Sequence, residues 1–285
     1  MSLSSLNQDA FFEVVKCGSF SKAAKKLHIS QPALSQRVLN LEESLGVTLL
    51  VREPRQVRVT PFGERLLRYC QIKETLEAEV LGEIEPSTGT SLCGRLVIAS
   101  YSSIMRSVII PALSPLLRQN PRLECQFIVC LIPELDEILR RSEADLVISD
   151  HRLPLKGVVA EWIGRESHVA VEDKKLKPLA EVFLDVASSD NATQLFFQNQ
   201  SRSPRYRRVF MGDIYGILDG VEQGLGRAVV SRHLIRERPR LKLLGEYKPR
   251  SFDVFLHYYG QSFYTRSHIE VTKALIKRAR RRLGK

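Results

Sequence analysis

The chain has 285 residues, of which 44% are hydrophobic and 26% charged, and its formal net charge is +11. That length suggests two domains with room for a sizeable core, and the balance of apolar and charged residues excludes a disordered chain. No run of about 18 apolar residues offers a membrane span. The first residues, MSLSSLNQDAFFEVVK, lack the basic region and cleavage site of a secretory signal, so a cytoplasmic location is expected. The basic surplus favours polyanionic partners, nucleic acid first and anionic membrane second.

In chain order, Ala10, Phe11, Val14 and Val15 give a first helix one apolar face, and Gly18 ends it. Ser19 or Ser21 can cap a second helix, whose buried side is Ala23, Ala24 and Leu27. Across His28-Ile29-Ser30 the chain turns into a third helix. Ser30 is its N-cap, Gln31-Pro32 its opening, Leu34, Val38, Leu41 and Leu45 its apolar stripe, and Gly46 its terminator. Glu53-Pro54 marks a turn into the alternating Gln56, Val57, Arg58 and Val59, a short two-stranded wing. Thr60-Pro61 opens a long helix over 60–85, with Phe62, Leu66, Tyr69, Ile72, Leu76, Val80 and Ile84 among its apolar positions. Such a stripe is covered either by its own chain or, as expected here, by a second copy. Residues 86–94, PSTGTSLCG, read as a hinge-like linker.

Beyond the linker, RLVIAS, LECQFIVCL and DLVISD read as strands. They are separated by a helix pattern over 105–120, which Pro111 and Pro115 lead one to expect either broken or late in starting, and by PELDEILRRSEA; this order argues a parallel α/β sheet. VVAEWIG and SHVAVE read as two further strands, then VFLDVA, a helix over 213–223, RAVVS, SFDVFLHYY and a terminal helix over 266–282. The basic segments SRSPRYRR and KRARRRLGK read as solvated faces that add nonspecific phosphate attraction. Five cysteines, none in a C-x-x-C, read as reduced thiols.

Two helices joined by a tight turn within about 25 residues make the helix-turn-helix layout, whose second helix enters the DNA major groove. On the third helix, Gln31, Ser35, Gln36 and Asn40 point away from the apolar stripe. Amides and hydroxyls suit base edges, Arg37 suits guanine or phosphate, and Lys22, Lys25, Lys26, Arg52, Arg55 and Arg58 are placed for phosphates.

Residues 11–66 resemble the N-terminal domain of LysR-type transcriptional regulators. The shared pattern is F-x-x-V-x-x-x-G-S-F-S-x-A-A-x-x-L-x-x-S-Q-P-A-L-S-x-x-V-x-x-L-E-x-x-L-G-x-x-L-L-x-R, then V-T-P-F-G. GRLVIAS, IIPALSPLLRQNP, ADLVISD and DGVEQGLGRAVVS are similar to that family's effector-binding domain. The resemblance implies an α/β protein overall, with an all-α winged helix-turn-helix domain over 1–60 and a linker dimerisation helix and hinge over 61–90. It further implies a two-lobed, periplasmic-binding-protein-like α/β effector domain over 91–285, its first lobe 91–163 with 262–285 and its second 164–261. Gln31, Pro32, Ser35 and Gln36 fall at the family's DNA-contacting positions and Arg52 at its wing arginine, with Arg37 and Arg55 beside them. Ser100, Ser102 and Ser103 offer hydroxyls to the interlobe cleft or cap the following helix; by resemblance Ile132 and Asp150 also face it.

The function so implied is sequence-specific transcriptional regulation, controlled by a small-molecule effector. The implied partners are double-stranded DNA at a pseudo-palindromic site, a second copy forming a homodimer that assembles into a homotetramer, and RNA polymerase; no membrane, metal or cofactor is expected. Departures are informative. Ile132 stands where many members carry a small hydroxyl residue, Asp150 adds negative charge, and both leave room for an amino acid or cation as effector. Ser231 stands where many members have proline, and the second lobe has no cysteine for a disulfide sensor. Two other classes stay open: an enzyme, for which no G-x-G-x-x-G, P-loop, H-E-x-x-H or G-x-S-x-G is found and the six histidines give no metal spacing, and an architectural DNA-binding protein with a degenerate cleft.

Overall fold

Helix α1 (Ser5–Cys17) buries Ala10, Phe11 and Val14, and Gly18 closes it in the left-handed conformation. Helix α2 (Phe20–Lys26) starts at Ser19, whose side chain accepts from the Lys22 N–H; Ser21 is therefore not the cap. The turn into α3 (Gln31–Leu45) places His28 at φ 54, a left-handed conformation unusual for a residue with a side chain. Ser30 Oγ accepts from the Ala33 N–H at 3.3 Å, Pro32 occupies the first turn, and Gly46 ends the helix at φ 66. Leu34, Val38 and Leu41 close a core with Phe11, Phe20, Leu49, Leu66 and Cys70.

The computed structural model describes residues 4–53, 56–84, 91–198, 200–201 and 204–283. Strands β1 (Leu50–Glu53) and β2 (Gln56–Val59) pair antiparallel as the wing. Glu42 ties α3 to it, its carboxylate accepting from the Leu49 and Leu50 N–H groups at 2.6 and 3.1 Å. Helix α4 (Pro61–Ile84) opens at Thr60, whose Oγ1 accepts from the Gly63 N–H and donates to the Thr48 carbonyl. Leu66, Leu67 and Cys70 face the core, whereas Phe62, Tyr69, Leu76, Val80 and Leu81 are exposed. The expected hinge at 86–94 falls largely on residues 86–90, outside the described ones. The chain divides into two compact units at Gly94/Arg95, with the short Arg140–Glu143 segment grouped in the first.

The second unit follows one nine-stranded sheet. Its elements are β3 (Gly94–Ser100), α5 (Ser102–Ile104), α6 (Ile110–Gln119), β4 (Leu123–Val129), α7 (Leu135–Arg140), β5 (Leu146–Ser149) and β6 (Val158–Asp173), then β7 (Val182–Asp185), α8 (Ala192–Gln198), β8 (Arg207–Phe210), α9 (Ile214–Glu222), β9 (Arg227–Ser231), β10 (Leu241–Leu243), β11 (Arg250–Tyr259) and α10 (Arg266–Leu283). The spatial order is β4-β3-β5-β11-β6-β9-β7-β8, with β10 also on β6. β3 and β5 run parallel, as do β7, β8 and β9, but β11 is antiparallel to β5 and β6, and β6 to β9. The sheet is therefore mixed, where sequence order alone suggested a parallel one.

VVAEWIG and SHVAVE, read as two strands, form the single 16-residue strand β6. Its polar middle, Gly164-Arg165-Glu166, is carried by the ladder with β11, which shifts register at Val254/Phe255 beside Gly164, φ 147. The expected interruption of the helix over 105–120 is also absent. A π-helical segment (Met105–Ile109) joins α5 to α6, so the helix begins at Ser102 and passes through both prolines. Ser107 lies four residues before Pro111, which has no N–H to offer its carbonyl; Arg282 Nη1 donates to that carbonyl instead, at 2.9 Å. Arg278 Nη1 and Arg280 Nη2 likewise donate to the carbonyls of Ala112 and Trp162. The basic tail of α10 is thus partly built into the fold, not simply solvated.

Each half of the sheet has its own core. In one, Ala99 and Val147 pack with Leu135, Leu139 and Leu153. In the other, Val169, Leu184 and Val230 pack against Val221 of α9, and Phe183, Phe196 and Phe197 form an aromatic cluster with Tyr206 and Tyr247. The five cysteines are free thiols, and burial pushes those of Cys70, Cys125 and Cys130 up to about 11.

Candidate functional site

Two regions gather the residues singled out by sequence, one in each unit. In the first unit, Gln31, Pro32 and Gln36 are exposed on the N-terminal half of α3, while Ser35 and Arg37 are half-buried. Ser21 Oγ donates to Gln31 Oε1 at 2.7 Å, so α2 steadies the first side chain of α3. Gln36 Nε2 donates to Asn40 Oδ1 at 2.8 Å, one turn further along the same surface. This row holds no ion pair among the described contacts; its groups donate and accept without charge, which suits hydrogen bonding to base edges. Arg52 lies on β1 opposite Val57, and Arg55 is outside the described residues.

In the second unit, strand direction brings two sets of strand carboxyl ends together. β5 ends at Ser149, level with Phe255; β9 runs the opposite way and ends at Ser231, level with His168. The carboxyl ends of the two strand sets therefore face each other across residues 163–167 of β6 and 251–254 of β11. Crevices at strand carboxyl ends are where open α/β sheets bind ligands.

The sequence-predicted residues are distributed unevenly there. Ser100 is fully buried, and its hydroxyl donates to the Ile148 carbonyl at 3.0 Å, a tie between β3 and β5 rather than a free hydroxyl. Ser102 is half-buried at the start of α5, with no cap hydrogen bond from the preceding Tyr101 side chain. Ser103 is buried, and its carbonyl accepts from Ser107 Oγ at 2.5 Å. Ile132 packs against the core of its own half. Asp150 is half-buried at the end of β5, 2.7 Å from His151 Nδ1.

A network absent from the sequence reading occupies the centre. Glu166, on the crossing stretch of β6, is 1% exposed. Tyr101 Oη donates to its Oε2 at 2.5 Å; Ser231 Oγ and His233 Nε2, the latter at 2.9 Å, meet its Oε1. His233 Nδ1 in turn lies 2.8 Å from Ser107 Oγ, on the π-helical segment. Burial alone would raise the Glu166 carboxyl, but hydrogen bonds and charge from His233, with help from His168 and Ser231, hold it down to about 2. Burial and the neighbouring carboxylate push Tyr101 well above the ordinary phenol value. At the rim, the Arg106 guanidinium lies over the Tyr215 ring, 3.9 Å from its centroid. A glutamate within an apolar strand was the one available signal, and its partners lie 65 to 67 positions away in sequence.

Among the described residues no group of three or more His, Cys, Asp or Glu side chains is arranged to hold a metal ion. None of their helices is long and apolar enough to cross a membrane.

Residues 8–64 match the family model described as bacterial regulatory helix-turn-helix protein, lysR family, and residues 89–281 match that of the LysR substrate binding domain. The HTH-type transcriptional regulator ArgP of Aeromonas salmonicida is 34% identical over 146 residues, 51% of this chain and 48% of that protein. A probable RuBisCO transcriptional regulator of Gracilaria tenuistipitata var. liui is 27% identical over 256 residues, 81% of each. The chain spans about half the length of the ArgP relatives it matches. In fold it is similar to ArgP from Mycobacterium tuberculosis, with TM-score 0.79, 20% identity and 98% of each chain covered. It is also similar to LysG from Corynebacterium glutamicum with its effector arginine bound, with TM-score 0.78, 19% identity and 99% and 100% of the chains covered.

Proposed function

The chain belongs to the lysR family of bacterial regulatory helix-turn-helix proteins, and from that premise we propose that it is a sequence-specific DNA-binding transcriptional regulator, not an enzyme, whose state is set by a small molecule. DNA is read by α3, with Gln31, Pro32, Ser35 and Gln36 at base edges and Arg37, Arg52 and Arg55 serving mainly phosphate. The observation that carries this reading is the exposed, uncharged amide row on a helix capped and braced by its neighbours. The effector occupies the crevice between the two halves of the sheet, near Ser102 and Asp150, and shifts the population of DNA-binding states. That the similar LysG structure holds arginine supports a small-molecule effector for this chain as well.

The test of the reading helix is footprinting and titration of the full chain on its operator. Gln31→Ala is expected to cost about 1–3 kcal/mol of discrimination at one base position. Arg55→Ala should instead weaken all sequences alike and reduce the salt slope by about one. Unchanged footprint specificity in Gln31→Ala would remove α3 as the reader.

We assign the exposed apolar positions of α4, Phe62, Tyr69, Leu76, Val80 and Leu81, to pairing with a second copy. This places two reading helices on a two-fold site, and dimers assemble further into tetramers that engage RNA polymerase at promoters. Leu76→Glu is expected to lower the mass of the full chain in equilibrium sedimentation and weaken operator binding at least tenfold; an unchanged mass with unchanged operator affinity would contradict the assignment.

A further inference from the structure

The buried carboxylate of Glu166 has two hydroxyl donors and one imidazole as partners, and no lysine or arginine pairs with it among the described contacts. A carboxylate removed from water is costly unless its charge and acceptor positions are met. Tyr101 and Ser107 come from one half of the sheet, Ser231 and His233 from the other, so Glu166 is the common point at which both halves meet. The nearby permanent cations are committed elsewhere: Arg106 lies on the Tyr215 ring and Arg282 donates to the Ser107 carbonyl. Asp150 adds a second negative group, whose charge is felt at Tyr101 and His168; His168 and, through it, Arg250 are the opposing groups.

We propose that Glu166 is the anchor for the cationic end of the effector's side chain, an ammonium or guanidinium distinct from any α-ammonium, and that the Tyr101 hydroxyl is the internal donor that yields its place. This inference rests on the reading that the crevice holds the effector. Charge-assisted hydrogen bonds are the strong ones, and a guanidinium or ammonium satisfies a buried carboxylate better than a phenol does. Replacing Tyr101 by the ligand transfers one of the ties between the two halves to the ligand, which is how occupancy is felt by the fold.

The experiment uses the full-length protein in thermal-shift and calorimetric titrations with arginine, lysine, agmatine, glutamate and citrulline, the last being a neutral analogue of arginine. At least one of the cations is expected to bind saturably, with citrulline about tenfold weaker or worse. Glu166→Gln, which keeps the size but removes the charge and turns one acceptor oxygen into an amide donor, should cost the cation about tenfold or more in affinity. Tyr101→Phe should bind the cation at least as tightly as the wild type, because a competing donor is gone; a merely structural hydroxyl would give weaker binding. Citrulline matching arginine, full affinity in Glu166→Gln, or no binding by any cation overturns the inference. Binding by glutamate or citrulline alone overturns it while leaving an effector-controlled regulator intact. Operator footprinting without ligand decides that broader reading separately.

Discussion

Gly63→Ala is expected to destabilise the N-terminal unit by about 3 kcal/mol, the upper end of overpacking costs, although alanine is the better helix former by about 1 kcal/mol. Gly63 lies in the first turn of α4, against the wing. A Cβ built there collides with the Leu49 carbonyl oxygen and comes within 2.7 Å of Val59 Cγ1. The carbonyl is backbone and cannot swing away; Leu49 accepts from the Thr60 N–H and its own N–H is held by Glu42. Relief therefore requires moving the wing off α4. Gly46→Ala is the matched comparison: open space surrounds its Cβ, but φ is +66, so its cost is confined to the left-handed backbone, about 1 kcal/mol. Urea unfolding followed by hydrogen exchange at α1–α3 amides, together with operator affinity, reads both. A Gly63→Ala protein more stable than the wild type would show that helix propensity, not close packing, governs this position.

The second large effect is on acid. His257 on β11 is fully buried, and its Nε2 accepts from the Leu153 N–H at 3.2 Å. Burial, with smaller pushes from His151 and Arg152, lowers it to about 4; burial lowers His268 to about 4 as well. A histidine whose folded value lies below its unfolded value of about 6.5 favours the fold while neutral. That stabilisation is complete above pH 6.5 and disappears as pH falls from there to 4, because the unfolded chain takes up the proton first. For His257 the loss is on the order of 3 kcal/mol at pH 4. Glu166 acts in a different window: its folded value is lowered to about 2, so its contribution holds above the ordinary carboxylate range and is lost only below it. Urea midpoints of the C-terminal unit should thus fall between pH 7 and 4. His257→Gln, which keeps an acceptor for Leu153 but cannot titrate, should flatten part of that fall; an equally steep profile in the variant would assign the acid sensitivity elsewhere.

What was legible in the sequence was local. The three helices and wing of the first unit follow from caps and apolar spacing within a few residues: Ser19, Ser30 and Gly46 act where the pattern puts them. The C-terminal unit was legible as alternating strands and helices but not in its joins. β6 looked like two strands because Gly164, Arg165 and Glu166 interrupt its apolar run, and only β11, some 90 residues away, holds that stretch extended. The helix from Ser102 looked broken because Pro111 removes a donor, and the compensating Arg282 lies at the far end of the chain. Ser100 and Ser103 were singled out as hydroxyls, but Ser100 is spent inside the sheet. The Glu166 network is assembled from three stretches, around Tyr101–Ser107, Glu166 and Ser231–His233, which no spacing rule can foresee.

The long ladder between β6 and β11 also limits what the second unit can do when it responds. Ten residue pairs, from Arg250↔His168 to Tyr259↔Val158, run without a break from one half to the other apart from the register shift beside Gly164. Two bodies joined by such a ribbon cannot draw apart along it without breaking its hydrogen bonds, though the ribbon can bend. They can twist, since a two-stranded ribbon is soft to rotation about its own length and softest at a bulge. The movement expected of the C-terminal unit is thus a small bend or rotation of one half against the other about this ribbon.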